Sequence, residues 1–349
     1  MGQYYQKVLT KNFSPIINSL GIDHLTKPIY SGKGQILIFH RITPDTGKQR
    51  IHNHLSLEIS PEHLENIFSY FKKRDYDFIN LDMLPEWLAA NRKTKRKFVI
   101  FTFDDGYKDN YTIAYPIFKK HNIPFTIYIA CSFPDKKAII WWYILEDLIL
   151  NNNYIEHTFS SGHFKASCRS YSAKERTYLR IRGLIKKLPD NNLEQELREF
   201  FTRYDFNIFD HNSEMALSWD DISELSKDPI VTIGAHTLNH YNIRTLSEKN
   251  AIGEILGSKE LLESRTNKDV KHFSYPFGEY GTREIEFAKR CNFLTTTTTE
   301  NANVFYEHVD HLFALPRISV NVLTNERVMN LMVNGFFPAI LHRFKRLVY

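Results

Sequence analysis

Two adjacent carboxylates follow an apolar run in the first third of the chain. Residues 101–106 read Phe-Thr-Phe-Asp-Asp-Gly, so Asp104 and Asp105 end a β-type segment and Gly106 permits a sharp turn. Neighbouring carboxylates repel each other unless a cation or a shared proton relieves the repulsion. The segment therefore predicts a bound metal, a raised carboxyl pKa, or both. A plain turn that caps the next helix is the structural alternative.

Two histidines four residues apart end a second apolar run, in the segment Ile-Gly-Ala-His-Thr-Leu-Asn-His at 233–240. His236 and His240 can converge on one metal ion if this stretch turns helically. With one carboxylate they would make a three-ligand site for Zn²⁺ or a similar divalent ion, open to water and substrate. Taken alone, such a pair is more often explained by one histidine that is merely hydrogen-bonded at a helix start.

The segments around these motifs alternate short apolar runs with amphipathic stretches, which is typical of βα units and a parallel sheet. Strands are predicted at 34–40, 98–103, 125–131, 230–236, 271–276 and 293–299, and helices at 61–73, 111–121, 247–264 and 283–291. Continued around seven or eight units, the repetition predicts an α/β fold, a distorted (β/α)7-8 barrel. Its active site would lie at the carboxyl ends of the strands.

The interval 132–216 breaks this repetition, and a βα loop of such length would be very unusual. We expect a single catalytic domain with core segments 34–131 and 217–322 and an inserted, mostly helical lobe between them. Helical spacing marks 141–150 and 173–188, whereas 151–170 forms either a small hairpin or an irregular loop. Trp141, Trp142 and Tyr143 could stack on sugar rings, although aromatic clusters more often fill cores.

Charge and cysteine content exclude two classes of protein. A formal charge of +5, from 45 basic and 40 acidic residues, is too small and too evenly spread to predict a nucleic-acid partner. The three cysteines lie far apart without metal-ligand spacing, so no disulfide framework is predicted.

Both termini are basic and amphipathic, and no stretch approaches the roughly 20 apolar residues of a spanning helix. The tail 335–349 could lie on a membrane surface with Phe336, Phe337 and Leu341 toward the lipid. Packing of that helix on its own domain is the commoner arrangement. We expect a cytoplasmic protein, with peripheral contact to the inner face of the membrane as a further expectation. The oligomeric state is not predicted.

The segments TFDDG and HTLNH, both at strand ends and in this order, resemble the motifs of the polysaccharide deacetylases of carbohydrate esterase family 4, the NodB-homology type. The resemblance implies a hydrolase that removes an N-acetyl group from an amino sugar of a polysaccharide, oligosaccharide or lipid-linked glycan. It assigns Asp104 as general base and Asp105, His236 and His240 as ligands of a divalent metal. Zn²⁺ is expected, with Co²⁺ or Ni²⁺ as alternatives. The analogy also suggests a role in surface-polysaccharide or lipopolysaccharide assembly.

The segment 273–278, Phe-Ser-Tyr-Pro-Phe-Gly, resembles the third motif of that family, but Ser274 stands where an arginine that orients the base is expected. Arg317 in Leu-Pro-Arg-Ile-Ser-Val is the predicted replacement, because a guanidinium grips a carboxylate through two hydrogen bonds. A surface ion pair is the alternative for Arg317. Substrate contact is predicted for Tyr107, whose backbone N–H would also meet the oxyanion, and for Trp219, Tyr275, Pro276 and Phe277.

The family's late Leu-x-His motif, which should supply a general acid, is absent. His40, at the end of the first strand, resembles the position used in the poly-N-acetylglucosamine deacetylase branch and is the predicted proton donor. A buried structural histidine is the alternative. Two other functions remain open: a metal-dependent amidase acting on a non-sugar amide, and a non-catalytic carbohydrate-binding protein on the same scaffold.

Overall fold

A curved parallel sheet forms the centre of the molecule in a computed structural model, which describes residues 23–348 except 91, 92 and 94. The strands are β1 Gly34–Phe39, β2 Arg41–Ile42, β3 Glu58–Ile59, β4 Tyr76–Phe78, β5 Lys97–Phe103, β6 Phe125–Ile129, β7 Tyr154–Phe159, β8 Gly162–Ser167, β9 Val231–Ala235, β10 His272–Ser274, β11 Thr295–Thr297 and β12 Ile318–Ser319. The main sheet has the order β11-β10-β9-β6-β5-β1-β12, and β4 pairs with the start of β5.

The helices lie around this sheet. They are α1 Asp23–Tyr30, α2 Pro61–Lys72, α3 Leu84–Ala90, α4 Tyr115–His121, α5 Trp141–Asn151, α6 Tyr171–Ile185, α7 Asp190–Thr202, α8 Asn212–Met215, α9 Trp219–Leu225, α10 Glu248–Thr266, α11 Thr282–Arg290, α12 Glu326–Val333 and α13 Phe336–Leu341. The helices predicted at 61–73, 247–264 and 283–291 are present with end shifts of a few residues, as is usual for helix boundaries.

The two ends of the sheet approach each other through the chain before β12. The N–H of Thr296 in β11 donates to the carbonyl of Leu312 at 2.8 Å, and the N–H of Leu315 donates to Thr296 at 2.9 Å. A few residues later Ile318 pairs with Leu37 of β1. The predicted α/β barrel is thereby confirmed, and its distortion lies at this irregular junction.

Strands β1, β5 and β6 are buried along almost their whole length, which explains their nearly continuous apolar sequence. The ring of Phe101 lies 5.1 Å from that of Phe68 and 5.4 Å from that of Phe118, centroid to centroid. The register pairs Phe39 with Phe103. The residues that directly follow these two strands therefore emerge side by side at one end of the barrel.

The helix predicted at 111–121 begins differently. Residues Asn110–Ala114 form a wider π-helical turn, and the α-helix starts at Tyr115, directly before Pro116. Proline lacks the N–H that a helix interior requires, so it is accommodated in the first turn. Helices α3 and α9 and strand β4 were not predicted, because they are too short to show a clear period.

Segment 132–216 forms helices α5 to α8 and the antiparallel hairpin β7–β8, so the hairpin alternative for 151–170 is the one adopted. This lobe has its own hydrophobic cluster, to which Ile51 from the barrel also belongs. Arg50 donates to both Glu58 and Glu146, at 2.7 and 3.0 Å, and so joins the barrel to α5 of the lobe. The lobe is thus fixed against the barrel by apolar and ionic contacts.

The tail does not present its phenylalanines to a membrane. Phe336 and Phe337 are buried in the main core, where α13 packs against α1. The lipid-facing assignment of these two side chains is therefore wrong, because they fill the domain's own core. Within the described residues, no helix has the length and apolar character needed to cross a bilayer. The amphipathic N-terminal segment lies outside the described residues, and location and membrane contact stay predictions.

Candidate active site

Polar side chains follow three strands of the main sheet at the same end of the barrel. His40 follows β1, Asp104 follows β5 and His236 follows β9. Because β1, β5, β6 and β9 are parallel and adjacent, their carboxyl ends lie together. This end is where barrel enzymes carry their reactive groups.

Arg317 grips Asp104 in the interior. Its Nη1 and Nη2 atoms donate to Oδ1 and Oδ2 of Asp104 at 2.6 and 2.7 Å. The remaining donors reach the hydroxyl of Thr102 at 3.1 Å, the hydroxyl of Ser274 at 2.8 Å and the carbonyl of Thr298 at 2.8 Å. Arg317 is fully buried, which rules out the surface ion pair, and all five of its N–H groups have acceptors.

Ser274, which stands at the family's arginine position, takes part in the same arrangement. Its hydroxyl accepts from Arg317 and donates to Oδ2 of Asp104 at 3.4 Å. The cation therefore comes from the chain just before β12, while the third motif contributes a hydroxyl.

Both carboxylates are held in the ionised form. Burial alone would raise the pKa of Asp104, but the charge and hydrogen bonds of Arg317 outweigh it and keep that pKa below its usual value. Burial acts in the same way on Asp105, and its interactions with His240 lower its pKa. The prediction of a raised carboxyl pKa is therefore wrong. Asp104 has Arg317 as its partner and Asp105 has His240, and each partner favours the ionised carboxylate.

The backbone separates the two carboxylates. Asp105 has a φ of 78° and Gly106 a φ of 98°, so the chain reverses hand directly after Asp104. A left-handed aspartate costs free energy and such residues cluster at functional sites. A Cβ at position 106 would lie 3.1 Å from the side chain of Ile129. The turn therefore directs Asp104 and Asp105 to different partners.

Asp105, His236 and His240 meet in one cluster. Oδ1 of Asp105 lies 3.6 Å from Nε2 of His236 and 3.2 Å from Nε2 of His240. The expected helical turn is wrong: Thr237 and His240 have φ values of 69° and 58°, and residues 236–240 form an irregular loop. The hydroxyl of Thr237 accepts from the N–H of His240 at 2.9 Å and stabilises this loop.

The chemistry of this donor set fits a divalent metal. His236 Nδ1 is 2.7 Å from the carbonyl of Ser274, so it carries the proton and leaves Nε2 free as a ligand. Burial lowers the pKa of His236 to about 4, which keeps the imidazole neutral at physiological pH. Ligand atoms about 2.1 Å from a tetrahedral zinc are roughly 3.4 Å apart, close to both Asp105 separations. The three ligand atoms lie within 4.8 Å of one another.

His40 is half-buried and lines the same pocket as Asp104 and Asp105. Its ring is close enough to Asp104 and Asp105 for a positive charge on it to lower the pKa of both carboxyl groups. The backbone carbonyl of His40 accepts from Asn110 at 2.9 Å, which fixes the position of this residue. The structure therefore brings His40 to the same pocket as Asp104 and Asp105, and its role as proton donor stays a prediction.

The pocket has about 670 Å³ of empty space, counted together with the solvent at its open mouth. Among the five predicted substrate contacts, only Phe277 lines it. The side chains of Tyr107 and Tyr275 are fully buried, Pro276 is buried, and Trp219 is turned to Asp135, to which it donates at 2.9 Å. None of these four side chains lines the pocket, and their contact with substrate stays a prediction.

Two features of Tyr107 explain its position. Its hydroxyl accepts from the indole of Trp142 at 3.0 Å, so the ring supports the lobe. Its backbone N–H makes no hydrogen bond to another described residue. The oxyanion contact assigned to that N–H stays a prediction.

The inserted lobe supplies the opposite wall of the pocket, through Trp141 and Trp142 at the start of α5. Trp142 lies 6.3 Å from the ring of His240, and Phe277 lies 4.7 Å from it. The sugar-stacking interpretation of the tryptophans thus gains a site at which a ring could bind.

His54 lines the pocket and was not identified from the sequence. Its Nδ1 lies 2.6 Å from Glu146 of the lobe, while its Nε2 has no hydrogen-bond partner among the described residues. A histidine held by a carboxylate is typical of functional sites. Only contact with α5 of the lobe brings the two together, and no local motif around 52–54 signals it.

The polysaccharide deacetylase family model matches residues 91–295, which is more than half of the chain and includes the aspartates and both histidines of the cluster. The chain belongs to the polysaccharide deacetylase family. It is a deacetylase, a hydrolase of the NodB-homology type, and not the non-catalytic binding protein that remained as an alternative. Metal dependence is general in this family, and the cluster of Asp105, His236 and His240 is a possible metal site.

Individual relatives agree. YxkH of Bacillus subtilis (strain 168), whose name assigns it provisionally to the polysaccharide deacetylases, is 20% identical over 286 residues, covering 82% of this chain and 71% of that protein. The solved structure of the Streptococcus pyogenes deacetylase PplD, in complex with acetate, matches with a TM-score of 0.55 at 18% identity, over 86% of this chain and 97% of PplD. IcaB from Ammonifex degensii matches with a TM-score of 0.53 at 15% identity, over 87% and 97%. At these identities the structural likeness concerns the fold.

The ion pair between Arg317 and Asp104 predicts a pH effect. In Arg317→Gln the pKa of Asp104 rises, because burial remains and the guanidinium is gone. Asp104, the predicted base, can accept a proton only when ionised, so the acidic limb of the kcat/KM profile should move to higher pH. We expect a loss on the order of 10²-fold at neutral pH and about 3–5 kcal/mol of stability.

Arg317→Lys keeps the charge without the paired hydrogen bonds and should fall between wild type and Arg317→Gln. Arg290→Gln, which removes one partner of an exposed ion pair with Glu248, is the control. The measurements are pH–rate profiles and thermal unfolding. An acidic limb that stays in place in both Arg317 variants would show that Arg317 does not control the base.

Proposed function

We propose that the chain is a metal-dependent de-N-acetylase that acts on an N-acetylated amino sugar of a glycan. The observation that carries this proposal is the pairing of two sites: an ionised Asp104 gripped by Arg317, beside the cluster of Asp105, His236 and His240. A carboxylate base next to a three-ligand metal site is suited to hydrolysis of an amide.

Asp105, His236 and His240 would hold the divalent ion, with Zn²⁺ as the proposed metal because two imidazoles and one carboxylate are ligands that zinc accepts readily. Such an ion supplies Lewis acidity, which polarises an acyl oxygen and acidifies water. Asp104 accepts the proton of the attacking water. Arg317 holds both oxygens of Asp104 in place and keeps it ionised while it waits for substrate.

His40 donates the proton that the sugar nitrogen needs to leave as an amine. The N–H of Tyr107 faces the acyl oxygen as negative charge develops on it. Water is consumed, the amide C–N bond breaks, and acetate and the free amino sugar are the products. The wall formed by Trp141, Trp142 and Phe277 supports the sugar and limits access of bulk water.

A substrate panel tests the proposed reaction. Mass spectrometry should detect a loss of about 42 daltons, an acetyl group exchanged for hydrogen, from N-acetylated oligosaccharides incubated with wild type. Asp104→Asn should lower the rate by about 10²- to 10⁴-fold, the usual contribution of a general base. Simple acetamides without a sugar are included in the panel. Turnover of these amides with no turnover of any sugar would make the protein an amidase instead.

Metal content gives a second, independent test. Wild type and Asp104→Asn should each bind about one equivalent of zinc by elemental analysis, because Asp104 lies outside the ligand set. His236→Ala should lose most of the metal, and removal of metal by a chelator should abolish turnover that added zinc restores. His163→Ala, at an exposed histidine of the lobe, serves as the control. Equal zinc content in His236→Ala would contradict the ligand assignment.

The proton donor is tested by two histidine variants. His40→Ala should lower kcat by about 10²-fold or more and remove the basic limb of the pH–rate profile, with zinc content unchanged. His54→Ala should leave that limb in place. The reverse result, a lost limb only in His54→Ala, would assign the donor to the histidine that Glu146 holds.

A further inference from the structure

The pocket has a second, basic region that the proposed reaction does not use. Tyr178, Arg182 and Lys186 are spaced four residues apart along α6 and its C-cap, so they lie on one face of that helix. All three line the pocket that also contains Asp104 and Asp105. The lobe therefore presents two cations toward the space that the glycan would occupy.

Neither cation has a charge-neutralising partner among the described residues. No hydrogen bond or ion pair from the side chain of Arg182 or Lys186 occurs within the described part of the chain. Glu279 acts on Lys186 only at longer range and lies 3.5 Å from Arg244, which is its ion-pair partner. Although its side chain is exposed at the mouth of the pocket, Lys186 is partly desolvated there, and this desolvation and the charge of Arg182 lower its pKa to about 8. A negatively charged ligand between the two cations would relieve the repulsion between them.

The carboxylates near this pocket are already satisfied. Asp104 is paired with Arg317, Asp105 lies 3.2 Å from Nε2 of His240, and Glu58 and Glu146 are paired with Arg50 at 2.7 and 3.0 Å. The two cations of α6 are therefore not required to balance charge inside the protein. An uncharged sugar would gain less from these cations than an anion, because an anion adds Coulombic attraction to the hydrogen bonds.

The helix dipole gives an alternative explanation for the presence of two cations at the end of α6, one that needs no ligand. Arg182 lies in the last turn of α6 and Lys186 is its C-cap, where positive charge is favoured by about 0.3–1 kcal/mol. Lys186 and the next residue, Lys187, are both exposed at this helix end, but only Lys186 lines the pocket. A helix-end role would be shared with Lys187, whereas a ligand role would not.

His54 supplies an independent indication that a ligand binds in this region. It is almost fully buried, its ring lies 5.6 Å from that of Tyr178, and its Nε2 lacks a partner among the described residues while it lines the same pocket. A buried polar atom without a partner is costly unless a ligand satisfies it. A sugar hydroxyl bound between the catalytic end and the basic region would do so.

We propose that Arg182 and Lys186 form an anion subsite that binds a negatively charged group of the glycan, a phosphate or a carboxylate, near the sugar that is deacetylated. The inference rests on the proposed function and specifies its substrate class. Arginine and lysine at the mouth of a partly enclosed pocket suit such a group, because charge-assisted hydrogen bonds are stronger than neutral ones. The lobe would then select anionic glycans, while the barrel carries out the hydrolysis.

The test compares three oligosaccharides of equal length. One is a neutral N-acetylglucosamine trisaccharide, one carries a diphosphate at its reducing end, and one has its N-acetylglucosamine flanked by uronic acids. For wild type, kcat/KM should be at least about tenfold higher for one of the two anionic substrates than for the neutral one. The better anionic substrate tells phosphate from carboxylate. The preference should weaken as salt rises.

The variant is Arg182→Gln with Lys186→Gln. The matched control is Arg176→Gln with Lys187→Gln, which removes one exposed charge from α6 and one from the residue after its C-cap. The anionic-to-neutral ratio of kcat/KM should fall to about one in the variant and stay at the wild-type value in the control. Equal rates for all three substrates in wild type would overturn the proposal. So would a decrease in the variant that all three substrates share, or an equal loss of preference in the control.

A binding measurement separates this inference from the proposed function. Calorimetry with the corresponding deacetylated oligosaccharides, which cannot react, should give Kd values at least about tenfold lower for an anionic ligand, and only when Arg182 and Lys186 are present. If no substrate is hydrolysed yet this preference is found, the proposed function fails and the anion subsite stands. If the neutral substrate is hydrolysed and no ligand shows the preference, only the subsite fails.

Discussion

The buried ion pair between Asp104 and Arg317 is the interaction on which the rest of the site depends. It joins the end of β5 to the chain before β12, so it forms only when the barrel has brought its last strand back to its first. A buried ion pair is stable only if its remaining polar atoms are satisfied, and here every N–H of the guanidinium has an acceptor. Closure of the barrel and ionisation of Asp104 are therefore coupled.

The same geometry lets two adjacent carboxylates carry different tasks without sharing a proton. The reversal of backbone hand at Asp105 sends one carboxylate to Arg317 and the other to His236 and His240. Because each has its own partner, both remain ionised although both are buried. The strain of a left-handed aspartate is offset by these interactions, as is common at functional sites.

The barrel and the lobe contribute chemically distinct surfaces to one pocket. The barrel end is rich in carboxylate and imidazole groups, whereas the lobe presents indole rings and two cations. The contacts of Arg50 with Glu58 and Glu146 hold these surfaces together, and His54 depends on the same Glu146. In our proposal, the barrel therefore carries out the hydrolysis and the lobe selects among glycans.

The sequence by itself determined the alternation of strands and helices, the position of the insertion, and the candidates Asp104, Asp105, His236 and His240, because these follow from local periodicity and short motifs. It also singled out Arg317 for Asp104 on the strength of a resemblance. Only the tertiary structure decided that Tyr107 and Tyr275 lie beneath the site, that His54 meets Glu146, and that α6 faces the pocket. Burial and pairing between residues far apart in the chain depend on how elements pack, and local sequence carries no record of that packing.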